Sequence, residues 1–180
     1  KSYFKEHAEC RNEFDITLFK HPTLFVKSFL ENKPDIVGFS NYCWNSDLSH
    51  TFAQEVKKRS PGTLVVFGGP NYPLEDQQQD EWLKNHEAVD LYIVGEAEEP
   101  FSKAVDHWQK NGNLSKLKRA GIEGCHTLVD GKLFNPSNKV PRLSSLNAYP
   151  SPYLKGYMDE FLANEKFIPM TQTTRGCPYA

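Results

Sequence analysis

No run of apolar residues in this 180-residue sequence approaches the roughly 20 that a membrane-spanning helix needs. Charge of one sign is not in excess either: 21 Lys and Arg stand against 23 Asp and Glu, a formal net charge of −2. So even a balance gives no general electrostatic reason to expect nucleic acid or an anionic membrane as partner. Cysteine is scarce. Cys10, Cys43, Cys125 and Cys177 are too scattered for a disulfide framework, and a reducing cytoplasm suits them better. Signal-peptide patterns, internal repeats and low-complexity tracts are not visible. What is present is 38% hydrophobic and 24% charged residues, the balance of a soluble globular domain, in a length that can bury a proper core.

Apolar periodicity divides the chain into alternating strands and helices. Lys1 to Glu9 reads as the tail of an amphipathic helix, with Tyr3, Phe4 and Ala8 apolar and no cap before them. Phe14 to Phe19 is a strand candidate. Pro22 to Glu31 places Leu24, Phe25, Phe29 and Leu30 at helical spacing behind a proline. Asp35 to Ser40, Leu64 to Phe67 and Leu91 to Val94 are short apolar runs of the kind buried in parallel sheets. Between and after them come predicted helices: one capped by Asp47 and running to about Arg59, one from Asp76 to His86, one from Glu98 to Asn111. This alternation predicts an α/β fold, a doubly wound, flavodoxin-like parallel sheet covered on both faces. Cys125 to Phe134 alternates about Asp130-Gly131, a hairpin signal. Pro136 to Pro152 reads as a linker, and Phe167 to Thr174 as the start of a further strand.

Ligands of open α/β sheets lie beyond the carboxyl ends of the strands. Three successive ends here are small or polar: Ser40-Asn41-Tyr42, Gly68-Gly69-Pro70-Asn71 and Gly95-Glu96. Glycine allows close approach to the backbone, so a branched side chain at Gly69 is expected to occupy space left for a ligand. Any one of these ends is equally a tight turn into the next helix. Three in sequence describe a wide, shallow mouth suited to a large cofactor. The loop from Asn41 to Asp47 adds Tyr42, Cys43 and Trp44, which either cover a flat cofactor or pack on the domain. Glu98 and Glu99 open a helix, where its dipole favours negative charge, and Lys57-Lys58-Arg59 is a solvated helix end. His7, His21, His50, His86, His107 and His126 have no motif context, and each reads as a surface residue.

The segment Thr174-Arg-Gly-Cys-Pro-Tyr179 puts Cys177 on a loop at a strand's carboxyl end. One thiolate cannot hold an iron–sulfur cluster, and by chemistry alone Cys177 is a free thiol. Taken with Pro34-Asp-Ile-Val-Gly-Phe-Ser40, Val66-Phe-Gly-Gly-Pro-Asn71 and Asp90-Leu-Tyr-Ile-Val-Gly-Glu96, in that order and spacing, the segment makes the whole chain resemble the front part of cobalamin-binding radical SAM enzymes.

The resemblance implies a cobalamin domain over residues 1–123, a hairpin and linker over 124–165, and the beginning of a radical SAM partial barrel over 166–180. It implies cobalamin at Ser40, Asn41, Tyr42, Gly68, Gly69, Pro70, Asn71, Gly95 and Glu96. Cys177 matches the first cysteine of the family's Cys-x-x-x-Cys-x-x-Cys. In the parent enzyme, a [4Fe–4S] cluster there would bind S-adenosylmethionine and cleave it to a radical. Methyl transfer or related radical chemistry on a small-molecule substrate would follow, fed by a flavodoxin- or ferredoxin-type reductant. No residue is assigned a catalytic role, and this stretch alone is expected to be inactive. Two departures stand against the family pattern. The Asp-x-His-x-x-Gly of classical cobalamin domains is absent. The first strand is expected to precede Lys1, leaving an empty slot between the strands at Phe14 and Asp35. The rival readings are a non-catalytic flavodoxin-like module that has lost cobalamin, and a methylthiotransferase-type radical SAM enzyme.

Overall fold

The uninterrupted apolar stretch Leu64-Val-Val-Phe67 becomes a buried strand of a five-stranded sheet. In the computed structural model, which describes residues 1–136 and 145–171, the strands are β1 (Ile36–Ser40), β2 (Leu64–Gly68), β3 (Leu91–Ile93), β4 (Cys125–Val129) and β5 (Lys132–Phe134). They lie side by side in chain order. β1, β2 and β3 are parallel, with Ser40 opposite Gly68 and Gly68 opposite Ile93. β4 and β5 are antiparallel additions. The hairpin at Asp130-Gly131 therefore extends the main sheet through β4. Both turn residues have positive φ, 52° and 72°, as a two-residue hairpin turn requires.

The side-chain alternation of β2 divides the core in two. Val65 and Phe67 meet Phe29 of α2 (Pro22–Glu31), Ala53 and Val56 of α3 (Ser46–Arg59) and Leu83 of α4 (Asp76–Asn85). Leu64 and Val66 meet Ala104 of α5 (Glu98–Asn111) and Leu117 of α6 (Leu114–Lys118). A third cluster joins Phe4 of α1 (Ser2–His7) to Val105. Helices thus cover both faces of a mostly parallel sheet. Among the described residues no helix is long and apolar enough to cross a membrane.

Several expectations need correction. Phe14 to Phe19 is not a strand. Its alternation serves a different purpose: Phe14 and Ile16 pack into the α1–α5 cluster, while Lys5 Nζ donates to the Phe14 carbonyl. Among the described residues β1 pairs only with β2 and so forms an edge. Residues 167–171 form no strand, and the remainder of that expected strand lies outside the described residues. Asp47 sits in the first turn of α3 rather than at its cap, which is Asn45. His126 is not a surface residue but fully buried on β4, because the inward side of a sheet-joining hairpin falls on it.

His50 is also drawn inward. It stacks on Phe67 and lies 4.0 Å, centroid to centroid, from His86. Among the described residues its buried Nε2 has no hydrogen-bond partner. Burial, followed by the His86 charge, lowers its pKa to about 4, against the pull of Asp47. The unfolded chain therefore takes up a proton near pH 6.5 that the folded chain refuses until about pH 4. Stability should be level above pH 6.5 and fall between 6.5 and 4, by about 2 kcal/mol after allowing for the ring's partial exposure. Urea unfolding at pH 7 and pH 4.5 checks this, because His50→Phe should flatten that part of the dependence. An unchanged pH slope in the variant would exclude His50 as its source.

Candidate functional site

Because β1, β2 and β3 are parallel, their carboxyl ends emerge along one edge of the sheet. The end of β1 is shaped by Asn45. Its Oδ1 accepts from the Tyr42 amide at 2.8 Å, and its Nδ2 donates to the Ser40 carbonyl at 3.0 Å. This closure turns the chain into α3 and leaves Ser40, Cys43 and Trp44 exposed. Trp44 stacks on Tyr42 at 4.5 Å and 13° while remaining 77% exposed, so an indole surface faces water beside the strand ends.

The end of β2 is tied to that of β1. Asn41 donates its amide to the Gly68 carbonyl at 2.6 Å, and Asn71 donates its amide to the Asn41 carbonyl at 3.2 Å. The side chains repeat the tie: Asn41 Nδ2 donates to the Asn71 carbonyl at 2.7 Å, and Asn71 Nδ2 to Asn41 Oδ1 at 3.4 Å. Gly69, at φ 126°, turns its missing side chain toward Asn41, where a Cβ would come within 2.5 Å of the Asn41 carbonyl oxygen. The space beside Gly69 is therefore filled by protein backbone. The expectation that it is left for a ligand is corrected accordingly.

Tyr92 of β3 lies beneath both loops. Its hydroxyl donates to the Gly69 carbonyl at 2.8 Å and accepts from Asn41 Nδ2 at 3.3 Å. Tyr72 stacks on the Tyr92 ring at 3.8 Å and approaches His126 Nδ1 with its hydroxyl at 3.5 Å. Burial, against the opposing effect of the Asn41 hydrogen bond, pushes the Tyr92 phenol up to about 12, and burial raises that of Tyr72 as well. Both are neutral donors at ordinary pH. Beyond β3, Gly95 is exposed at φ 68°, with nothing within 4 Å of where a Cβ would stand. Glu96 accepts a hydrogen bond from the Tyr149 hydroxyl, which brings the segment after the hairpin to this end of the sheet. Glu98 and Glu99 sit in the first turn of α5, where Glu99 pairs with Lys103 at 2.6 Å.

The structure thus gathers Ser40, Asn41, Tyr42, Gly68, Gly69, Pro70 and Asn71 at two adjoining strand ends, with Gly95 and Glu96 following the third. It does not give them one role. Ser40, Pro70 and Gly95 are exposed, whereas Asn41 is completely buried and its amide is spent on internal bonds. The sequence reading missed Tyr72, Tyr92, His126 and Tyr149. The only signal for Tyr92 was a tyrosine in an otherwise aliphatic strand, whose hydroxyl needs a partner once buried. Cys177 lies outside the described residues. Among those described, no group of three or more His, Cys, Asp or Glu side chains could hold a metal ion. The Cys10 and Cys125 thiols are pushed up to about 12, chiefly by burial, and are inert at neutral pH.

Residues 7–105, which include β1, β2 and β3, match the B12 binding domain family. Among curated proteins, the chain is 30% identical to a 2-(S-pantetheinyl)-carbapenam-3-carboxylate methyltransferase of Streptantibioticus cattleyicolor, over 90% of this chain and 24% of that protein. It is 32% identical to the cobalamin-dependent radical SAM methyltransferase TokK of Streptomyces tokunonensis, again over 90% and 24%. The chain spans about a quarter of the length of these curated relatives.

Proposed function

The chain belongs to the B12-binding domain family, and on that premise we propose that it holds cobalamin across the ends of β1, β2 and β3. The observation that carries this is coincidence: the matched residues contain the three parallel strands, whose carboxyl ends lie side by side at one edge of the sheet. The exposed residues there suit a broad, flat group. Gly95 presents open backbone, Pro70 and Ser40 are small and exposed, and the Trp44 face is available for stacking. Ser40 and Glu96 offer oxygen acceptors at opposite sides, the latter oriented by Tyr149. Cobalamin would supply a cobalt centre able to carry a methyl group. The protein's own part is to orient that group, cover one side of it and keep water away.

The wider reading is that the domain serves a radical SAM methyltransferase acting on a small-molecule substrate. The names of the two relatives support it, one a methyltransferase and the other a cobalamin-dependent radical SAM methyltransferase. In that reading Cys177 is one of three thiolate ligands of a [4Fe–4S] cluster that binds S-adenosylmethionine, and a small electron-transfer protein supplies the reductant.

Titration with hydroxocobalamin, followed by its visible spectrum and a cobalt assay of the desalted protein, tests the cofactor assignment. Stoichiometric retention is expected. Trp44→Ala should weaken binding about tenfold, the worth of one aromatic stack, with no change in thermal unfolding of the free protein, since Trp44 is largely exposed. Absence of retained cobalt would favour the non-catalytic module instead.

A further inference from the structure

The buried polar atoms beneath the mouth form a single connected set. Asn41 carries five of its bonds: amide to the Gly68 carbonyl, carbonyl from the Asn71 amide, side-chain Nδ2 to both the Asn71 carbonyl and the Tyr92 hydroxyl, and Oδ1 from Asn71 Nδ2. Tyr92 carries the bond to the Gly69 carbonyl. Neither side chain reaches the surface, as both residues are 0% exposed. Removing the Tyr92 hydroxyl would leave the Gly69 carbonyl without that donor at a positive-φ turn, and would take one acceptor from Asn41. The ring itself would stay in place between Tyr72 and Trp82, which it meets at 3.8 and 5.2 Å.

We infer that Tyr92 and Asn41 are positioning residues for the mouth: without touching the ligand, they lock the Asn41–Asn45 and Gly69–Tyr72 loops against each other so that the site is shaped before cobalamin arrives. The inference rests on the cobalamin reading above. Its physical basis is preorganisation: two loops held by internal hydrogen bonds lose little freedom when a ligand lands on them, and a loosened pair must be reordered at the expense of affinity. Asn41 and Tyr92 are themselves wholly buried, so a bond lost from either leaves a polar group in the core short of a partner.

The experiment compares wild type, Tyr92→Phe and Val56→Ala. Val56 is buried near the C-terminal end of α3; it shares the core cluster of Tyr92 but makes none of the network's hydrogen bonds, so its truncation lowers stability without removing one of them. Amide hydrogen exchange in the free protein is read at Asn71 and at β2, and hydroxocobalamin affinity is read by titration. In Tyr92→Phe, exchange at Asn71 should quicken about tenfold while the β2 amides stay protected, and the dissociation constant should rise about tenfold. Val56→Ala should leave both the Asn71 exchange relative to β2 and the dissociation constant as in wild type. An unchanged dissociation constant or unchanged Asn71 exchange in Tyr92→Phe overturns the positioning role. So does an equal loss of affinity in Val56→Ala. Failure of the wild type to bind cobalamin overturns the underlying reading and the inference with it, an outcome separate from the others because it is read on the unaltered protein.

Discussion

Gly69→Val should unfold the mouth in the free protein and abolish cobalamin retention together. At φ 126° a β-branched residue is strained by about 1–3 kcal/mol, and its Cβ would stand 2.5 Å from the Asn41 carbonyl oxygen and 3.0 Å from the Asn41 nitrogen. Both are backbone atoms, held by the Gly68 carbonyl and the Asn71 amide, and cannot swing aside as a flexible side chain could. A total cost of at least about 3 kcal/mol follows, which in a domain of this size lowers the melting temperature by about 10 °C. Gly69→Ala should share most of the effect, since the Cβ itself collides. The contrast is Gly95→Val. Among the described residues a Cβ there meets nothing within 4 Å, so backbone strain at the positive φ is the main cost to the free protein. If the mouth holds cobalamin, Gly95→Val should reduce affinity with a melting temperature within a few degrees of wild type. Differential scanning fluorimetry without ligand, followed by titration, separates the two. A Gly69→Val protein that melts as wild type does would return the space beside Gly69 to the ligand.

How much of this was legible in the sequence follows from the range of the interactions concerned. The helix over Pro22–Glu31 and that over Glu98–Asn111 carry their limits locally: a proline at the first position of one, and a left-handed Gly112 after the other. β2 is announced by four consecutive large apolar residues that only a sheet covered on both faces can bury. The hairpin is announced by Asp130-Gly131, the residue pair that accepts its φ values. Phe14 to Phe19 also alternates locally, yet among the described residues no strand meets it, and Phe14 and Ile16 find α1 and α5 instead. Pattern specifies an extended backbone but not a ladder partner.

The site follows the same rule. That three strand ends lie together was readable from topology. That Asn41 is consumed by Asn71, 30 residues on, and by Tyr92, 51 residues on, was not. A buried asparagine and an exposed one look alike in sequence, and what distinguishes them is a partner brought in by packing. The same reason hid His126, which joins Tyr72 across 54 residues. The resemblance to cobalamin-binding enzymes pointed to these strand ends without dividing their residues into those that face out and those that tie the loops together.

At the opposite end of the sheet, Asp90→Ala should destabilise the fold by about 3–5 kcal/mol. Asp90 immediately precedes β3, and its carboxylate is 4% exposed. One oxygen accepts from the Val65 amide of β2 at 2.8 Å and from Lys57 Nζ; the other lies 3.6 Å from Lys118 Nζ. The backbone of the same residue exchanges bonds with Val65 and Thr127, so β2, β3, β4, α3 and α6 meet at this position. Alanine would leave the Val65 amide unbonded in the core. It would also leave two ammonium groups, with side chains only 19% and 23% exposed, facing each other without the anion between them. Lys57 retains the Thr63 carbonyl as a partner, which limits but does not cancel the loss. Asp90→Asn keeps an acceptor for Val65 while removing the charge, and should fall between wild type and alanine. The cleanest check is urea unfolding of wild type, both Asp90 variants and Lys118→Met. Lys118→Met should cost about 1 kcal/mol or less, since Lys57 still neutralises the carboxylate. If Asp90→Ala costs no more than Lys118→Met, the buried carboxylate is not the tie that holds this end of the sheet.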